Sequence, residues 1–102
     1  MKITKSVSEK ITFKNDMDQF HSREFTAGRS VDVPDDSSLS FIQLRERELD
    51  LDLRKQVLTN FLLENVITQT TMAEMLEPYK QLLAAARSAH DKNASPGAPS
   101  FL

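Results

Sequence analysis

Residues 45–57, RERELDLDLRKQV, set Leu49, Leu51 and Leu53 in alternation with Asp50 and Asp52. Alone, that alternation fits a half-buried strand. The surroundings do not. Between Arg45 and Gln56 there is no β-branched residue, aromatic, Gly or Pro, and the flanking Leu, Arg, Glu, Lys and Gln are strong helix formers. The segment therefore reads as helix. It follows Asp35-Asp36-Ser37-Ser38, whose side-chain oxygens can accept the orphan N–H groups of a first turn, and it runs from Leu39 to about Ile67.

That assignment divides the apolar side chains in two. At about 100° per residue, Ile42, Leu49, Leu53, Val57 and Ile67 fall in one sector, with Phe61 and Leu63 at its margins. Leu44, Leu51, Leu58 and Leu62 form a second stripe nearly opposite. A helix greasy on two sides needs two covers, since each leucine left in water forgoes about 1.5–3 kcal/mol. Two arrangements satisfy it. The flanking elements can sandwich the helix within one chain, or the second stripe can meet its own copy across a twofold axis. The expectation taken forward is a homodimer with Leu44, Leu51, Leu58 and Leu62 at a protein interface.

The flanks supply candidate covers. MKITKSVSEKITFK alternates, with Ile3, Val7, Ile11 and Phe13 on one face, interrupted by Lys5 and Glu9, and Lys, Thr and Ser on the other. Asn15 to Gln19 is a turn by composition, and a second run from Phe20 to Pro34 puts Phe25, Ala27, Val31 and Val33 on one face. Together they predict an antiparallel hairpin, with Gly28 marking a bulge. After a turn at Thr68-Gln69-Thr70, Thr71-Met72-Ala73-Glu74 matches a capping box. Met72, Met75, Leu76, Tyr79, Leu82, Leu83, Ala86 and His90 then keep helical spacing. Pro78 predicts a kink or a fresh start inside that helix. Residues 93–102, NASPGAPSFL, read as a flexible tail. The fold class is thus α+β: one domain over residues 1–92, built of a hairpin, a long two-faced helix and a shorter amphipathic helix.

Chemistry is sparse. The chain has no cysteine and only two histidines, far apart, so neither a zinc site nor thiolate catalysis is expected. The carboxylates Glu46, Glu48, Asp50 and Asp52 alternate with Arg45, Arg47, Arg54 and Lys55, and pairs such as Asp50–Arg54 read as a solvated helix face. No catalytic residue, cofactor or metal is expected, and the chain reads as a non-enzymatic protein. It has no apolar run of membrane-spanning length and its N-terminus lacks the apolar core of a signal peptide, so the expected location is the cytoplasm. A net charge of −2 gives no global attraction to nucleic acid. Lys2, Lys10 and Lys14 nevertheless share a hairpin face, and a two-stranded ribbon can enter a major groove, which makes a DNA- or RNA-binding regulator the alternative reading. Ser100, Phe101 and Leu102 have the form of a C-terminal ligand captured by strand addition.

The run K-S-V-S-x-K-I-x-F-x-N, from Lys5 to Asn15, resembles the start of a set of short phage proteins with an N-terminal hairpin followed by helices. The likeness covers the first third of the chain and transfers no catalytic residue. It implies an accessory protein that binds, and inhibits or adapts, a host or phage protein. An assembly chaperone or structural subunit is a further alternative.

Overall fold

The structure is a computed structural model that describes residues 1–94. Four elements follow one another: β1 (Lys2–Lys14), β2 (Phe20–Asp32), α1 (Leu39–Leu63) and α2 (Gln69–Ala94). The α+β layout is the one expected, a hairpin followed by two helices. Ser100, Phe101 and Leu102, the expected tail ligand, lie outside the described residues.

The two strands pair antiparallel in a single unbroken register, from Lys2 opposite Asp32 to Lys14 opposite Phe20. The bulge expected at Gly28 does not occur. Gly28 stands directly opposite Ser6, and a Cβ there would meet the Lys5 carbonyl oxygen at 3.4 Å, an ordinary approach. The register sorts the residues by parity. Ile3, Val7, Ile11, Phe25, Ala27 and Val31 face the body of the molecule, while Lys2, Thr4, Ser6, Ser8, Lys10, Thr12 and Lys14 are exposed on the other side.

The segment whose pattern was ambiguous is helical. Ser38 caps α1, its hydroxyl accepting from the Phe41 N–H. The helix ends at Leu63, four residues short of the expected Ile67. Asn65 adopts φ 60°, the Val66 N–H donates to the Phe61 carbonyl and the Asn65 N–H to the Leu62 carbonyl. That pair of hydrogen bonds with a left-handed residue is a Schellman stop, made here by Asn rather than the commoner Gly. Ile67 therefore leaves the face that helical extrapolation gave it, although it stays half-buried against the core. α2 also starts earlier than its capping box predicts. Thr68 is the residue whose side chain accepts from the Thr71 N–H, so helix begins at Gln69. Pro78 does not end or restart α2, which continues through it to Ala94, so at 26 residues against 25 for α1 it is not the shorter helix that was expected.

α1 is the middle layer. The hairpin and α2 each pack on it and, among the described residues, the backbones of the two do not approach each other. Ion pairs mark which side is which. Arg29 on β2 meets Asp52, and Glu9 on β1 meets Arg54, so Leu49, Leu53 and Val57 between them face the ribbon. Phe61 on the same side meets Phe25 edge-on at 4.9 Å between centroids. On the opposite side, Ser40 and Phe41 approach His90, and Arg54 approaches Tyr79, so α2 runs antiparallel to α1 along the second stripe. Leu44, Leu51 and Leu58 are buried there and Leu62 is half-buried. The sequence left two covers open for these four leucines, and the structure contains the first. They are not surface, so the expectation that they form the interface with a second chain is corrected: α2 occupies the place that chain would take.

Candidate protein-interaction site

Every residue from Asp16 to Glu24 is exposed. α1 reaches outward along the ribbon only as far as Arg23, whose side chain meets Glu64 at 3.1 Å. Beyond that level no other described element packs on the hairpin, which stands out as an arm. A bare two-stranded ribbon is marginal in water, so the order of this arm must come from local bonds. Asn15 provides them. Its side-chain oxygen accepts from the backbone N–H groups of Met17 and Gln19, both at 2.9 Å, and its carbonyl accepts from the Asp18 N–H at 3.0 Å. Its own N–H donates to the Gln19 carbonyl, and its side-chain nitrogen lies 2.9 Å from His21 Nε2. Asp18 closes the turn at φ 62°, a left-handed conformation that Asp tolerates better than most residues. The loop is therefore held in one shape by its first residue.

That shape displays apolar side chains. Met17 is 75% exposed and Phe20 is 72% exposed. Phe20 lies on the outer, otherwise polar face of the ribbon, opposite Lys14, whose ammonium stands 4.9 Å from the ring centroid. Lys14 also pairs with Asp18 at 3.2 Å. The tip thus combines Met17 and Phe20 with Asp16, Asp18 and Lys14.

A second feature lies nearer the root. Where β1, α1 and α2 converge, an open cleft of about 520 Å³ is lined by Lys5, Gln43, Glu46, Arg47, Leu82, Ala85 and Ala86. Lys5, which interrupts the apolar face of β1, reaches this cleft rather than the core. Leu82 is 42% exposed there.

The other interruption, Glu9, has a different role. Its carboxylate accepts from Arg54 at 2.8 Å, and the same guanidinium stacks on Tyr79 with 3.9 Å from its carbon to the ring centroid. Arg54 Nε also lies 3.3 Å from Asp50 Oδ1, near enough to pair but off the line for a hydrogen bond. One side chain therefore ties β1 to α2 across α1. The i, i+4 pair Asp50–Arg54 is where the spacing put it, but Asp50 is buried and not on a solvated face. Two covers on one helix leave only a narrow strip between them, and Asp50 falls in it. This cluster is a structural tie. Among the described residues no group of three or more His, Asp or Glu is placed to hold a metal ion.

The three lysines do share the outer ribbon face, but not as a cationic stripe. Lys2 stands opposite Asp32 and Lys10 opposite Glu24, while Lys14 is engaged by Asp18 and Phe20. Thr4 with Ser30 and Ser8 with Thr26 form hydroxyl pairs between them, at 2.8 and 3.1 Å. Sequence reasoning passed over Met17 and Phe20. The signal was present for Phe20, an aromatic whose position puts it on the polar face of its own strand.

Among the described residues no helix is long and apolar enough to cross a membrane. Comparison of the chain with family models, with curated proteins and with solved structures found no match to any of them.

Proposed function

We propose that this chain is a non-enzymatic protein-interaction module that works through the tip of its hairpin. The observation that carries the reading is a hydrogen-bonded loop holding Met17 and Phe20 out in water on an arm that nothing else among the described residues covers. Burying two such side chains contributes about 1.5–3 kcal/mol each. A loop already fixed by Asn15 loses little further freedom on docking, which is what makes a preformed apolar tip an effective anchor. The version we adopt is an accessory protein of phage type, acting in the cytoplasm on a host or phage protein, as the resemblance of the N-terminal third implies. Acidic residues stand opposite Lys2 and Lys10 in the register and Asp18 engages Lys14, which lends no support to groove binding by the three lysines.

A photoreactive side chain at position 17 tests this, with the same group at Thr59, exposed on α1, as the control. Protein adducts that form from position 17, and not from position 59, are the expected outcome. An arm that yields no position-specific adduct with any protein, its own kind included, overturns the reading.

A further inference from the structure

We infer that the tip and the cleft are the two halves of one contact, and that the occupant of the cleft is the hairpin tip of a second copy of this chain. The inference rests on the reading of the tip as an interaction site and names its partner. The two surfaces match in kind. The tip offers Met17 and Phe20, and the cleft offers Leu82, Ala85 and Ala86. Around that apolar material the charges are opposite. The tip carries Asp16 and Asp18 with one cation, Lys14. The cleft carries Lys5 and Arg47 with one anion, Glu46. Among the described residues Lys5, Arg47 and Asp16 form no ion pair within the chain, and Asp18 has only the exposed Lys14. The tip is thus net acidic and the cleft net basic, and opposite potentials set both partner choice and orientation.

The spacing allows the contact to form twice. Lys5 on β1 and Asn15 just beyond its end are ten residues apart, at most about 33 Å of extended chain. Two chains lying antiparallel about a twofold axis can therefore each seat a tip in the other's cleft. Such a contact is closed and self-limiting, so the product is a dimer and not a filament. It uses none of Leu44, Leu51, Leu58 and Leu62.

Charge reversal tests the match. One variant carries Asp16→Lys with Asp18→Asn, which keeps a residue tolerant of the left-handed conformation. The other carries Lys5→Glu with Arg47→Glu. Asp16, Asp18 and Arg47 are exposed and Lys5 is half-buried at the cleft wall, and thermal melts verify that both variants fold. Sedimentation equilibrium at low salt, where screening is weak, reads the association. Wild type is expected to dimerise, and each variant alone to dimerise at least about tenfold more weakly. The 1:1 mixture of the two variants is expected to recover a dimer, because both of its contacts are again between opposite charges. A wild type that is monomeric at 100 micromolar (on the order of the concentrations that reveal weak self-association) overturns the inference. So does a dimer indifferent to both reversals, or a mixture that fails to recover. In those cases the position-17 adducts separate the two ideas. Adducts with a different protein leave the tip as an interaction site and remove only the second copy, whereas no adducts remove both.

Discussion

The root and the tip of the hairpin share one ladder, one register and nearly the same alternation, yet they are held by different forces. At the root, Ile3, Val7 and Val33 are buried, and α1 lies beneath them with Leu49, Leu53, Val57 and Phe61. At the tip, nothing among the described residues lies beneath, and the backbone is fixed by the bonds that converge on Asn15. Strand pairing alone decides neither. The root is stabilised by area removed from water, a contribution spread over many side chains, and the tip by a few local hydrogen bonds gathered at one.

Substitutions can break that contrast, the largest effect coming from the root. Phe61→Ala removes a fully buried ring from between the ribbon and α1 and should cost about 3–5 kcal/mol, enough to bring a domain of this size close to unfolding. Urea denaturation measures it, and a loss under 1 kcal/mol, read against that ~3–5 range, would mean the root is not a packed core. Arg54→Ala comes next. It strips the buried Asp50 of its cation and frees Glu9 and Tyr79, for an expected loss of about 2–3 kcal/mol, below the cost of breaking a wholly buried pair because Arg54 keeps a fifth of its surface in water. A double-mutant cycle with Glu9→Gln should show coupling, and additivity would contradict a tie through Arg54. Asn15→Ala is the smallest and the sharpest. Global stability should fall by about 1 kcal/mol or less, while the amides of Met17, Asp18 and Gln19 exchange much faster. Equal acceleration at Val7 and Ile11 would show that tip and root are one unit after all.

Much of this architecture was legible in the residues. Alternation over Lys2–Lys14 and the polar cluster at Asn15–Gln19 gave the hairpin, and the absence of β-branched residues between Arg45 and Gln56 resolved Leu49-Asp50-Leu51-Asp52-Leu53 as helix. Opposed stripes showed that α1 needed two covers but not whose they were. Cover by α2 depends on a turn at Glu64–Thr68 short enough to fold the second helix straight back, and the stop at Asn65 that makes it short carries no glycine to announce it. Asp50 was misplaced for a related reason. Periodicity ranks faces by polarity, and a charged residue between two apolar stripes looks solvated until both covers are in place. The tip was missed because a search for core discards exposed residues, and Met17 sits in a loop by composition.

Among the described residues the backbones of the ribbon and of α2 each pack against α1 and not against one another. No half of the protein is then a smaller version of the whole. A fragment cut after Leu63 would keep the ribbon but carry a bare leucine seam, and one lacking the ribbon would expose Val57 and Phe61. Truncation from either side should therefore yield sticky, aggregating pieces, and loss of structure on heating should come as a single all-or-none event.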